Sequence, residues 1–174
     1  MKHSFSCSYS CSCSEVNMSF KFTEENILRI RAARKKYPTA LAAVMDTVYI
    51  AQEQNGYISN EVMEEIASVL EIDKVNVLSV VTFYTMYHTK PMGKYHVQVC
   101  TNVSCMLRGA YEIWDGVREK LGLDHMQVSP DSKYSLEEVE CMGACGYAPM
   151  IAVNEDYFEN LNKEKVFEIL DSLK

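Results

Sequence analysis

Four cysteines in two close pairs constrain this chain more than any other feature. Cys100 and Cys105 have four residues between them, and Cys141 and Cys145 have three. Each pair follows a stretch that reads as a β-strand. Each therefore sits on a loop at a strand end, where a scaffold holds the backbone while two thiolates point inward. Glycines lie beside both pairs, at Gly109, Gly143 and Gly146. Single buried cysteines are common in ordinary cores, but four in two loop pairs call for a shared purpose.

Several chemistries use four thiols. A 2Fe-2S cluster takes four cysteines, two on each iron. Structural zinc also takes four, with two to four residues inside each pair as the usual spacing. A thioredoxin-type dithiol needs C-x-x-C, which the chain lacks. Disulfides are rare in a cytosolic chain. A reduced four-thiolate cluster is strongly anionic, so backbone N–H groups that donate to sulfur would stabilise it. Gly143 and Ala144, between two thiols, leave room for such donors. Thr101, Asn102 and Ser104 are polar candidates in the other loop, and Arg108 is a candidate positive charge.

Composition narrows the rest. The 174 residues are 48% apolar and 24% charged, the profile of a globular protein. No uncharged apolar run approaches the ~20 residues that span a bilayer. The net charge of −7 argues against a nucleic-acid partner, which usually meets a basic surface. Residues 1–19 are low-complexity Ser/Cys sequence and read as a disordered head. No apolar stretch of a secretory signal follows Lys2, so a cytoplasmic chain is expected. Cys7, Cys11 and Cys13 lie in this head, either as free thiols or as a second metal site. Met18 is a candidate start, because patterned sequence begins just after it.

The pattern divides near Pro91–Gly93. Residues 20–92 read as a helical bundle. Thr23, with Glu24 and Glu25 behind it, starts a helix bearing Ile27, Ile30 and Ala33, which Pro38 stops. Leu41, Val44, Met45 and Val48 have the spacing of a second amphipathic helix, ended by Asn55-Gly56. Ser59 or Asn60 caps a third, with Val62, Ile66, Val69 and Leu70 on its apolar face. Asp73 caps a fourth, expected from Val75 to about Tyr87. Its run VNVLSVVTFY also has strand propensity, but length and cap favour helix.

Residues 93–174 alternate element types. Val97 and Val99 alternate with polar residues into Cys100, as in a strand. Leu107, Tyr111, Trp114, Val117 and Leu121 recur at helical spacing up to Gly122. Tyr134–Glu140 and Met150–Val153 read as strands, with Tyr157–Glu159 as a hairpin partner. Asn162 caps a last helix bearing Val166, Ile169, Leu170 and Leu173. The whole is an α/β fold, a helical bundle followed by a small α/β sandwich. Charge divides with it: residues 1–92 carry 9 Lys/Arg and 10 Asp/Glu, and residues 93–174 carry 8 and 14.

The run VVTFYTMYHTKPMGKYHVQVCTNVSCMLRGAYEIWDGVREKLGL, followed by SPDSKYSLEEVECMGACGYAPMIAVNEDYFENLN, resembles the E subunit of bacterial NADH:quinone oxidoreductase (complex I). The resemblance covers about residues 22–174. Both cysteine pairs, the TFY, the PMGKY entry to the strand and the ECMGACGYAP block coincide in order. It implies a thioredoxin-like domain over 93–174 with one 2Fe-2S cluster held by Cys100, Cys105, Cys141 and Cys145. It implies a helical docking domain over 20–92 that packs on the flavin-bearing, NADH-binding F subunit. The docking segment would run from Ile58 to Tyr84 and include Thr82, Phe83 and Tyr84, for which ordinary core packing is the competing reading. A larger iron-sulfur subunit would be a further partner. The complex would hold the chain at the inner face of the membrane with no insertion of its own. Pro149 corresponds to the cis-proline of thioredoxin-like folds.

Two departures stand out. Ser132 replaces the glycine of the family's usual SPDGK, and the Ser/Cys-rich head has no counterpart. Similar subunits serve NAD(P)-linked hydrogenases, and the gamma subunits of formate dehydrogenases share the ligand pattern. No G-x-G-x-x-G or P-loop occurs, so neither nicotinamide nor flavin is expected on this chain alone. It would accept single electrons from its partner's flavin. A zinc-stabilised interaction module and a free soluble ferredoxin are the other classes the residues allow.

Overall fold

A computed structural model describes residues 20–174. The expected head, with Cys7, Cys11, Cys13 and Met18, lies outside the described residues. Four helices come first: α1 (Glu24–Arg34), α2 (Val44–Asn55), α3 (Asn60–Leu70) and α4 (Lys74–Phe83). The Thr23 hydroxyl accepts from the Asn26 N–H, and the Ser59 hydroxyl accepts from the Val62 N–H. Both caps satisfy backbone donors that the first helical turn leaves free. Gly56, in the left-handed region, ends α2.

Ile30, Val44, Val48, Ile58, Val62, Ile66, Val77 and Val81 fill a common apolar core between these helices. Each such side chain contributes about 1.5–3 kcal/mol relative to exposure. Two expectations are corrected here. Leu41 belongs to a short 3₁₀ turn, Leu41–Ala43, ahead of α2. The tighter turn takes it off the 3.6-residue stripe, and its side chain is exposed. α4 ends at Phe83 and not near Tyr87. The chain becomes extended at Tyr84, and Tyr87 turns inward to bury its ring and donate its hydroxyl to the Met45 carbonyl.

A five-stranded sheet follows: β1 (Tyr95–Cys100), β2 (Gln127–Val128), β3 (Tyr134–Val139), β4 (Ile151–Val153) and β5 (Asp156–Phe158). Its order is β2-β3-β1-β4-β5. β1 runs parallel to β3 and antiparallel to β4. Two helices, α5 (Val103–Leu107) and α6 (Ala110–Leu121), connect β1 towards β3, and α7 (Lys163–Ser172) closes the chain. The expected single helix from Leu107 is thus two, parted at Gly109, which is left-handed. The break shifts the phase. Leu107 and Tyr111 are exposed, while Ala110, Ile113, Trp114 and Val117 face inward.

Strand alternation gives the sheet two unlike faces. Val97, Val99, Leu136, Ile151 and Val153 pack under α6 and α7 with Trp114, Val166 and Leu170. The opposite face carries His96, Gln98, Ser135 and Glu137, in register as His96↔Ser135 and Gln98↔Glu137. His96 bridges Ser135 Oγ at 2.9 Å and Glu137 Oε2 at 3.0 Å, and Gln98 donates to the same Glu137 oxygen. This network satisfies a carboxylate that could not otherwise be buried. His88, in the segment leading from α4, stacks edge-on against His96 at 5.0 Å between centroids. Gly93 lies so close to β3 that a Cβ there would come 2.3 Å from the Tyr134 carbonyl carbon.

Candidate metal centre

β1 and β3 are parallel neighbours, so their C-terminal ends lie side by side. Cys100 is the last residue of β1 and pairs in register with Val139, two residues before Cys141. The ladder runs one step further, with the Thr101 N–H donating to the Val139 carbonyl. Cys105 comes back on α5, a single helical turn whose N-terminus Asn102 caps. Cys145 opens a 3₁₀ turn, Cys145–Tyr147. The peptide from Ala148 to Pro149 is cis, and the chain continues into β4. The topology thereby gathers at one end of the sheet the two pairs that stand 36 residues apart in sequence.

The four thiols are free. Cys100 and Cys105 are buried in a small apolar cluster with Ala110, Ala148 and Met150, packed by Val139, Met142 and Ala144. Cys141 and Cys145 are exposed, with their sulfurs 3.2 Å apart. Burial, and then the hydrogen-bonded Cys100 thiol, push Cys105 up to about 11, while the Met150 N–H opposes them. Cys141 is held below the ordinary thiol value by the Cys145 thiol and the Gly143 N–H. Cys145 is correspondingly raised by Cys141, with the Ser104 hydroxyl easing its ionisation. The Cys100 and Cys145 thiols are also close enough to interact electrostatically.

This donor set suits a cluster of two irons. Soft thiolates are the ligands such a centre takes, and the Gly143 N–H already aims at sulfur, 3.3 Å from Cys141 Sγ. Gly143 adopts φ +93° to present it, a conformation that a side chain rarely tolerates. Among the described residues, no three of His, Cys, Asp or Glu are gathered around one point that could hold a single metal ion. The thiols come as two pairs.

Other residues fall differently from expectation. Thr101 and Asn102 do not turn to sulfur. They donate to Glu138 Oε1 at 2.8 Å and to Glu140 Oε2 at 2.6 Å. Arg108 donates to the Ala148 carbonyl at 3.2 Å and so anchors the backbone around the site. The two carboxylates gave no sequence signal as site residues, being 37 and 38 positions from their partners. In the helical part, Phe83 is 76% exposed and Tyr84 37%. Core packing therefore does not account for the TFY run. Leu78 on the same helix is also exposed.

Comparison with known proteins fits this geometry. The family model for thioredoxin-like 2Fe-2S ferredoxins matches residues 30–174. The E subunit of NADH-quinone oxidoreductase from Rickettsia bellii (strain RML369-C) is 40% identical over 159 residues, 90% of this chain and 95% of that protein. The E 2 subunit of the NADH-quinone oxidoreductase from Rhizobium meliloti (strain 1021) is 39% identical over 145 residues, 83% and 86% of the two chains. Among solved structures, an NAD+-reducing NiFe hydrogenase in the H2-reduced state superposes with a TM-score of 0.64 at 14% identity. That match covers 78% of this chain and 22% of the other, and it is a likeness of fold.

Proposed function

The chain belongs to the thioredoxin-like 2Fe-2S ferredoxin family, among the E subunits of NADH-quinone oxidoreductase, and from that premise we propose that it is an electron-transfer subunit of an NADH dehydrogenase complex. It holds one 2Fe-2S cluster on Cys100, Cys105, Cys141 and Cys145 and works against a flavin-bearing partner, with a larger iron-sulfur subunit beyond it. The observation that carries this reading is the meeting of two free thiol pairs at the ends of parallel neighbours β1 and β3.

Such a cluster, when bound, supplies reversible one-electron chemistry whose potential the surroundings tune. The chain supplies the rest. Cys100 and Cys105 anchor from the buried side. Gly143 and Met150 offer N–H groups to sulfur, which favours the charged thiolates. Cys141 and Cys145 lie at the surface, where a partner's redox centre can approach. Val103, Met106 and Leu107, on the helix with Cys105, and Tyr147, on the turn with Cys145, are exposed apolar side chains, and apolar surface of that kind excludes water once covered. On the helical part, Leu78, Phe83 and Tyr84 offer a second apolar contact. Among the described residues no helix is long and apolar enough to cross a membrane, so attachment to one would come through the complex.

The relatives near 40% identity are E subunits of NADH-quinone oxidoreductases, which favours that complex over a hydrogenase or formate dehydrogenase. Co-expression with the neighbouring flavoprotein tests the reading. The two should co-elute, and NADH should bleach the cluster absorbance of this chain only when the partner is present. Rapid NADH oxidation by the isolated chain, or no association with the flavoprotein, would contradict it.

A further inference from the structure

The two ligand loops are tied to each other by side chains that stand next to the ligands. Asn102, two residues after Cys100, donates from Nδ2 to Glu140 Oε2 at 2.6 Å, and Glu140 immediately precedes Cys141. Thr101 donates from Oγ1 to Glu138 Oε1 at 2.8 Å. Between them the Thr101 N–H meets the Val139 carbonyl at 3.1 Å. Three links thus cross the same gap within a few residues. They continue the β1–β3 ladder beyond the strands, where Cys141 would otherwise hang on a free loop. Asn102 is doubly used, because its Oδ1 also accepts from the Val103 N–H and caps the helix that carries Cys105.

Resting on the cluster reading above, we propose that Asn102 and Glu140, supported by Thr101 and Glu138, are positioning residues for the metal centre. Their clamp fixes the separation of the Cys100–Cys105 pair from the Cys141–Cys145 pair. The physical need is clear from the burial pattern. The first pair is held by a packed core. The second pair is exposed at the surface, on a loop that only Met142 and Ala144 fasten to that cluster. A charge-assisted hydrogen bond is short and directional, which makes Asn102 to Glu140 the stiffest link available there. The Glu140 carboxylate then stands beside the Cys141 sulfur as a fixed negative charge, which opposes reduction of the centre.

The test exchanges donor and acceptor. Asn102→Asp keeps the oxygen that caps α5 but removes the donor and sets two carboxylates against each other. Added Glu140→Gln restores a hydrogen bond of reversed polarity at unchanged net charge. Wild type and variants are compared for fold by circular dichroism, for iron and sulfide per chain, for the rate of iron loss to a chelator, and for reduction midpoint and EPR shape. Outer partners of metal ligands typically govern affinity by about 10–100-fold. Asn102→Asp should therefore lose iron roughly tenfold faster or more, with an altered EPR shape, and the double variant should recover most of both. Glu140→Gln alone keeps an acceptor for Asn102 but loses the charge that strengthens the bond, so it should lose iron faster than wild type but more slowly than Asn102→Asp, with a higher midpoint. Equal iron loss, midpoint and EPR shape in all four proteins would overturn the proposal, as would a double variant no better than Asn102→Asp. A wild-type protein that takes up no iron would sink the cluster reading and this proposal with it, and the iron assay alone separates that result from the other two.

Discussion

The Cys141 and Cys145 sulfurs stand 3.2 Å apart at the surface, while Cys100 and Cys105 lie beneath them in an apolar cluster. The four candidate ligands are thus a buried pair and an exposed pair, and they should not respond alike to substitution. At the exposed positions water and a serine oxygen can partly replace a lost thiolate. At the buried positions the substitution also inserts an unpartnered hydroxyl into a packed site.

Cys141→Ser should therefore fold normally and retain a weakened centre, with iron loss at least ~tenfold faster than wild type, the lower end for disturbing a metal site. Cys105→Ser should retain less iron still and unfold at lower denaturant. Chelator kinetics and urea unfolding check both. Unchanged iron content and spectrum in Cys141→Ser would count against its role as a ligand.

Gly93 passes against β3 with no room for a side chain. The atoms a Cβ would strike are the Tyr134 carbonyl and the Ser135 nitrogen, both backbone, at 2.3–2.7 Å. Gly93→Ala must shift a strand of the sheet and should cost about 1–3 kcal/mol, the range for overpacking. Gly143 differs. It has open space around it, so Gly143→Ala pays only for φ +93°, about 1–2 kcal/mol, and chiefly disturbs the N–H aimed at Cys141. Urea melts separate the two: a global loss for Gly93→Ala, and mainly faster iron release for Gly143→Ala.

Acid should destabilise the fold in two stages. His88 is held below its ordinary value of 6.5 by burial first and by His96 second, with Glu137 opposing. The folded state then binds fewer protons than the unfolded one just below pH 6.5, so stability falls as pH drops through that region. Glu137 resists ionisation through burial, but its bonds from His96 and Gln98 outweigh this and keep it below 4.5. Its contribution is present above 4.5 and is lost as pH falls through its lower folded value. Urea midpoints from pH 7.5 down to about 2.5 should decline in both windows, the second below 4.5, and His88→Gln should flatten the upper one only. A His88→Gln profile parallel to wild type would show that burial of His88 is not the cause.

Phe83, with 76% of its surface exposed, contributes little to the fold. Phe83→Ser should change the unfolding midpoint negligibly, as surface substitutions usually do within ~0.5 kcal/mol. Aromatic anchors at protein interfaces often cost about 2 kcal/mol or more when truncated, about thirtyfold in affinity. The same variant should therefore bind the flavoprotein much more weakly, as read by titration calorimetry. Wild-type affinity in Phe83→Ser would move the docking surface elsewhere.

Legibility in the sequence followed the range of the interactions. The caps at Thr23, Ser59 and Asn162 could be read because each bonds a backbone N–H three residues away. Strand β2 could not. It is two exposed residues, Gln127 and Val128, that exist as a strand only by pairing with β3. The helix phase near Leu107 misled because Gly109 breaks one apparent period into two helices. Glu137 blurred the pattern of β3, since a charged residue inside a sheet makes sense only once His96 and Gln98 are seen beside it. The cysteine spacing marked the four candidate thiols. The carboxylates that tie their loops together were invisible, because chain topology alone brings Asn102 to Glu140.

The most direct test of the account is metal and sulfide analysis of the anaerobically purified chain, with an EPR spectrum after reduction. The account predicts a red-brown protein with two irons and two acid-labile sulfides per chain, as a 2Fe-2S centre requires, and a signal that appears on reduction. A colourless protein with one zinc and no iron would contradict it.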